Sequence, residues 1–337
     1  MMSKRVIAII IAAVLFILGT SVSFFTSAMT SNFSKSIEDV SKSAEQELSS
    51  SVIEGTDAAH QIARVEVDGV IQDTGVPGLF DEAAYNHQQT LQALEQIKED
   101  DQIKGLMLVV NSPGGGVYES AEIHKAVEAI KKSGKKVYVT MKNMAASGGY
   151  YISAPADKIY ASRETITGSL GVIMQSMNYK ELADKYGVKF NTIKSGPHKD
   201  IMSPTKEMDE EERQILQSFV DESYDAFVKV ISEGRKIDKA QVKKIADGRI
   251  YSGLQAKKLN LIDEIGLEKD ALKAMREDIK AKNAQVIEFN EGDSFFGKNF
   301  FAANSFVKQF MGQSDVDRVQ QILSKRQGLE PMYLYGE

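Results

Sequence analysis

Met144-Ala145-Ala146-Ser147-Gly148-Gly149-Tyr150 follows directly on an apolar segment, residues 136–141, that reads as a β-strand. A hydroxyl at a strand-to-helix turn, with alanines before it and glycines after it, is built as an exposed nucleophile. A second glycine turn, Asn111-Ser112-Pro113-Gly114-Gly115-Gly116, closes another apolar run, residues 105–110. That run is apolar throughout, as suits a parallel strand covered on both faces. The first turn supplies an attacking oxygen, and the second supplies backbone N–H groups clear of side chains. These are two of the three parts that acyl transfer to water requires. Taken alone, the glycine turn fits equally well a plain connection that needs positive φ. It does not end in Gly-Lys-Ser/Thr, so it is not a phosphate-binding loop of the Walker type.

Outward from these turns the pattern alternates. Residues 62–67, 158–160, 171–176 and 189–193 read as strands, and residues 85–99, 117–132 and 180–186 read as helices. Such βαβ succession predicts an α/β fold, a parallel sheet covered by helices with its sites at the carboxyl ends of the strands. Both glycine turns fall at such ends. A long amphipathic helix over 209–233 follows, then shorter helices over 238–246 and 252–258. Beyond residue 281 the pattern weakens into an apolar stretch at 286–289, an aromatic patch at 295–301 and a charged helix over 316–326. The tail Met332-Tyr333-Leu334-Tyr335, after Pro331, either ends loosely or enters a substrate groove of its own or a neighbouring copy.

The N-terminal segment bears on location. Lys4 and Arg5 precede an uncharged run, residues 6–25, dominated by Ile, Ala, Val, Leu and Phe. Twenty residues of helix span roughly 30 Å, the thickness of a bilayer's hydrocarbon. Thr26-Ser27-Ala28 is a poor cleavage site, so the run predicts an uncleaved transmembrane signal anchor. Residues 1–5 are then cytoplasmic and the catalytic part is extracytoplasmic. Residues 26–58, rich in Ser, Lys and Glu, read as a linker. They form either a flexible tether or a helical stalk, since Phe33, Ile37, Val40, Ala44 and Leu48 recur at helical spacing. Residues 59–280 form the main domain and residues 281–337 a C-terminal extension.

The 337 residues suffice for one large or two modest domains. A net charge of −6 leaves no basic surplus to neutralise phosphates, which argues against nucleic acid as the main partner. Cysteine is absent, so disulfides, thiol catalysis and cysteine metal sites are excluded. The four histidines (His60, His87, His124, His198) lack metal-ligand spacing, and the sequence implies neither metal nor cofactor.

The third part, a base, stays open from the residues alone. His124 lies on a helix face and His198 beside Lys199. A lysine serves when its amine is desolvated: the reference pKa of about 10.4 must fall by roughly three units, costing about 4 kcal/mol. Lys199 stands apart because Ser195-Gly196-Pro197-His198-Lys199-Asp200 is a turn-rich loop just past a strand-like segment, but composition does not select it.

Four segments together resemble bacterial signal peptide peptidases of the SppA type: Asn111 to Gly115, Ala146 to Tyr150, Thr167-Gly168-Ser169-Leu170-Gly171-Val172, and Ser195 to Lys199. Gly248-Arg249-Ile250-Tyr251-Ser252-Gly253, with Ala256 and Leu261 to Gly266, resembles the stretch after that family's catalytic core. The match spans roughly residues 60–280, in the family's order. It implies a ClpP/crotonase-like fold and a membrane-anchored serine peptidase that degrades remnant signal peptides. Carried over by position, Ser147 is the nucleophile, Lys199 the general base and Ser169 the residue holding the lysine amine. Gly114 and Gly148 then form the oxyanion hole. With one such core, the chain resembles the short form, a ring-shaped homo-oligomer sharing its dyad between neighbouring subunits. Pro197-His198 stands where relatives carry an aromatic residue, and Leu170 stands for the usual isoleucine. A CoA enzyme of the crotonase type and a non-catalytic membrane scaffold are the competing readings.

Overall fold

In chain order the strands and helices run β1 (Ser49–Glu54), β2 (Asp57–Asp68), α1 (His87–Glu99), β3 (Ile103–Ser112), β4 (Gly114–Gly116), α2 (Val117–Lys132), β5 (Lys136–Ala146) and α3 (Gly148–Ser153). They continue as β6 (Lys158–Ala161), β7 (Ile166–Gly168), α4 (Lys180–Lys185), α5 (Glu210–Arg235), α6 (Lys239–Ile245), β8 (Ile250–Ser252), α7 (Gly253–Lys258), β9 (Glu264–Ile265), α8 (Glu268–Asp278), β10 (Ala284–Asn290) and β11 (Met332–Leu334). The computed structural model describes residues 48–74, 85–290 and 331–335. The apolar run 6–25, the linker before residue 48, the aromatic patch and the helix expected over 316–326 lie outside the described residues. Among the described residues no helix is long and apolar enough to cross a membrane.

The main sheet has the order β1-β10-β2-β3-β5-β6-β9. From β10 to β9 the neighbours are parallel. The sequence of β3 explains this: eight of its ten residues are buried, which only a strand covered on both faces tolerates. Alternate residues serve two cores. Leu106, Leu108 and Val110 join Leu94 and Ile97 of α1 and Ile123 and Val127 of α2 on one face. Met107 and Val109 join Ala271 and Met275 of α8 on the other. Each fully buried side chain of this size stabilises by about 1.5–3 kcal/mol. At its far end β5 turns away from β6, and its last three residues pair with β7. That turn brings Ser147 to the edge of the packed layers.

Three features differ from the sequence reading. The sheet runs past the limits of 59 and 280, because Ser49–Glu54 pairs antiparallel with β10, which itself pairs with β2. β1 is exposed at every position; an edge strand held by its ladder hydrogen bonds shows no apolar pattern, and a serine-rich stretch then looks like a linker. Residues 189–193 form no strand, and Phe190 and Ile193 are exposed. β-branched composition yields a strand only where a partner edge exists. Residues 171–176 contribute a single bridge, Ile173 to Met332.

Candidate active site

Ser147 is held at φ 52° and ψ −115°. Non-glycine residues at positive φ are strained by about 1–3 kcal/mol and persist where the surroundings fix them. Here the Ser147 N–H donates to Gly168 O (2.8 Å) and its carbonyl accepts from Tyr151 N (2.9 Å), the latter opening α3. Ser147 is fully buried, unlike the exposed elbow expected, and among the described residues its Oγ has no hydrogen-bond partner.

The second glycine turn lies against the elbow. Gly114 sits at φ 104°. Its carbonyl accepts from Ile71 N (2.8 Å), and Gly116 N donates to Ile71 O (2.8 Å). Backbone polar groups alternate along an extended strand, so the N–H and C=O of Gly115 face the opposite edge. There lies β11, antiparallel, with Met332, Tyr333 and Leu334 opposite Gly116, Gly115 and Gly114. The tail is held on its other edge too, where Ile173 and Met332 exchange two hydrogen bonds of 3.0 Å. Tyr335 N donates to Pro113 O (2.8 Å) and Val117 N to Pro331 O (3.4 Å), extending the ladder.

The register brings a carbonyl to the elbow. A Cβ added to Gly114 would lie 1.9 Å from Tyr333 O and 2.6 Å from Gly148 N, so that carbonyl and that amide are near neighbours. The same distances show why residue 114 must be glycine, since any side chain would displace the tail. The N–H of Gly114 itself points back to Ser112 Oγ (3.1 Å), which leaves Gly115 as the amide the ladder turns to Tyr333, with the Gly148 nitrogen close to the same carbonyl.

Tyr333 fills a pocket and is wholly buried. Its ring stacks on Tyr151 at 4.9 Å and tilts against Phe227 at 4.6 Å, and its hydroxyl donates to Ser223 O (3.1 Å). His124 lies behind Tyr151 at 5.2 Å. Burial pushes the phenols of Tyr333 and Tyr151 up and the imidazole of His124 down. Leu334 enters a cleft of about 430 Å³ lined by Ser169, Val172, Ile173, Val220 and Tyr224. Ser169 is at φ 49°, with its N–H donating to Arg249 O (2.8 Å).

Ser147, Gly148, Gly114 and Ser169 therefore converge on one end of the groove, and among the described residues Lys199 does not join them. Lys199 is exposed in an irregular loop and is no partner of Ser147 Oγ. Next to it, Asp200 Oδ1 accepts from Lys194 Nζ (2.7 Å) and lies 3.1 Å from Lys206 Nζ. Lys194 first, then Lys206, holds the Asp200 carboxyl below its usual range. Lys206 also bonds Glu212, whose side chain is fully buried in the first turn of α5. His198 faces Glu211 at 3.5 Å. Sequence reasoning did not single out the Gly115 amide, although it lies in the quoted turn, nor Ser120. The latter is buried, its Oγ without a partner among the described residues and 2.7 Å from where a Gly148 Cβ would stand. No periodicity distinguishes Ser120 from an ordinary helix residue.

A strained serine at a strand-to-helix elbow, beside glycine amides that grip an extended chain end, defines a serine peptidase on an α/β scaffold. Comparison with known proteins agrees. The model of "Peptidase family S49" matches residues 129–282. A candidate signal peptide peptidase SppA of Enterococcus faecium is 44% identical over 293 residues, 86% of this chain and 85% of that protein. Protease 4 of Haemophilus influenzae is 34% identical over 65% of this chain and 35% of that longer protein. Among solved structures, a point mutant of ClpP1 from Listeria monocytogenes is similar with TM-score 0.39 and 19% identity, covering 62% of this chain and 94% of that one. The chain belongs to peptidase family S49, of the SppA type.

Proposed function

We propose that this chain is a membrane-anchored endopeptidase of ClpP/crotonase-like fold that degrades apolar peptides, remnant signal peptides among them, at the extracytoplasmic face of the membrane. Its nucleophile is Ser147 and its base is Lys199 from a neighbouring subunit of a homo-oligomeric ring. One observation carries the reading: β11 lies in the groove as a substrate strand would, its Tyr333 carbonyl against the Gly148 amide.

In that reading a substrate replaces the tail. Its carbonyl takes the place of the Tyr333 oxygen, and Ser147 Oγ attacks the carbonyl carbon while passing its proton to the Lys199 amine. The N–H groups of Gly115 and Gly148 hold the negative oxygen of the tetrahedral intermediate. Lys199 then gives the proton to the leaving amine, an ester to Ser147 remains, and water activated by the same amine hydrolyses it. Among the described residues Ser147 Oγ has no partner, and Lys199 is exposed. A second copy closing over both supplies the pairing, and also the desolvation a lysine base requires. Ser169, at the cleft beyond the cut, holds the arriving amine. Residues 6–25 anchor the assembly, and apolar substrates in the bilayer suit the aromatic pocket of Tyr151 and Phe227.

Cleavage of a fluorogenic peptide containing Met-Tyr-Leu-Tyr tests the dyad. Ser147→Ala and Lys199→Ala are each expected to lose at least about 10³-fold in kcat. Full activity in either variant would eliminate the dyad. Mass spectrometry of the wild-type chain should find termini ending at Tyr333 that are missing in Ser147→Ala; identical intact tails would remove the assignment of the cut.

A further inference from the structure

The groove does not end where the tail leaves it. Ile173 pairs antiparallel with Met332, so the chain from Ile173 towards residue 178 runs beside whatever precedes Met332 in a bound strand. A cleft of about 410 Å³ opens there between residues 174–178, residues 202–208 and α5. Its apolar walls are Met174, Met202, Met208, Leu216 and Val220, all half-buried, interleaved with neutral polar residues such as Gln175 and Gln217, and Val220 also lines the cleft that holds Leu334. Charge is confined to Lys206 and Arg213. The Lys206 ammonium is already engaged by Asp200 and Glu212, and Arg213, with Glu210 at 3.8 Å, is turned largely to solvent. Met202 is held at φ 61°, a strained backbone of the kind that gathers at ligand clamps.

We infer that this cleft is a distal subsite, binding an apolar side chain four or more residues before the cut. The inference rests on the peptidase reading of the groove given above. Methionine is unbranched and polarizable, so three of them adapt to side chains of different shape. A site of this kind accepts Leu, Ile or Phe alike and binds them better than a short hydroxyl side chain such as Ser, which leaves the methionine walls unfilled. It suits substrates that share apolar character but no sequence. Residues 202–208 belong to the same loop as Lys199, so an occupant also packs against the segment carrying the base.

The test uses the full-length chain and three quenched fluorescent peptides: Pro-Met-Tyr-Leu-Tyr, the same extended at its N-terminus by four leucines, and the same extended by four serines. The leucine extension is expected to raise kcat/KM about tenfold over the serine extension, the worth of burying one aliphatic side chain. Leu216→Ser should reduce that advantage below about threefold while leaving cleavage of the unextended peptide unchanged, and Leu216→Met should restore it. Equal rates for the two extensions in the wild-type chain would overturn the inference. So would a Leu216→Ser variant that slows all three peptides alike or alters the subunit count, because a second copy would then occupy the cleft. Failure of the peptidase reading looks different, since the unextended peptide would then survive as well.

Discussion

The elbow around Ser147 and the loop around Lys199 are held by opposite means. At the elbow the backbone is fixed mainly by the sheet: Gly168 O grips the Ser147 amide, Ile71 grips Gly114 and Gly116, and Tyr150 and Ile152 anchor α3 in the core. Around Lys199 there is no strand, Ile193 is fully exposed, and the loop is tied down by the chain Lys194–Asp200–Lys206–Glu212. A glycine corner in a packed sheet holds its amides in place beforehand, as an oxyanion hole requires. A loop held by ion pairs, partly exposed, keeps freedom to settle against another surface. In the proposed reading the nucleophile half of the site belongs to the protomer and the base half to the assembly.

The strongest way to break this contrast is to put a side chain into the rigid half. Gly114→Val places a branched side chain where Tyr333 O stands, at a φ that β-branched residues reject. Peptide kcat/KM should fall at least about 10²-fold with folding retained. Activity within threefold of wild type would mean that substrate does not lie along Gly114–Gly116.

On the loop side, Glu212→Gln removes the buried charge that holds Lys206. If Lys199 is the base, Glu212 acts on it through Lys206 and Asp200 and is a positioning residue. Its loss should lower kcat about tenfold with KM little changed, and Glu212→Asp should recover part of the loss. An equal fall in thermal stability and activity, with no recovery by aspartate, would make the role merely structural.

Tyr333→Ser separates the tail from the groove. It removes a stacked, hydrogen-bonded ring, a change of about 3–5 kcal/mol at a buried site. Faster hydrogen exchange at the Ile173 amide and faster cleavage of added peptide are expected. Unchanged protection at Ile173 would show that the ladder, not the ring, seats the tail.

How much of this the residues reveal depends on what holds each part. β3, β5 and the helices over 117–132 and 210–235 carry burial in their own apolar pattern, and those are the parts legible from sequence. The elbow at Ser147 was legible because glycines and alanines mark a position where side chains do not fit. The pairing of Ser49–Glu54 with β10 left no trace, because an edge strand exposed on both faces has no apolar period. Residues 189–193 misled for the converse reason: they have strand composition and no partner edge. The tail's place was open because Met-Tyr-Leu-Tyr suits a pocket and a loose end equally, and only the glycine ladder decides between them. Lys199 came from the resemblance, since an exposed lysine in a loop looks like any surface charge.

The smallest effect expected is a pH effect behind the aromatic pocket. Burial lowers the His124 pKa, so the folded state favours neutral imidazole. That contribution to stability is present above about pH 6.5, the unfolded value, and is lost as pH falls towards the depressed folded value. The melting temperature of His124→Leu should therefore decline less between pH 7 and pH 5 than that of the wild-type chain. Parallel declines would place His124 in water.

The most direct trial of the account mixes two inactive chains. Ser147→Ala retains an intact Lys199, and Lys199→Ala retains an intact Ser147. If each site takes its serine from one subunit and its lysine from the next, random co-assembly of equal amounts restores about one quarter of wild-type activity. A mixture that stays as silent as either parent, in particles shown to contain both chains, would contradict a site divided between subunits.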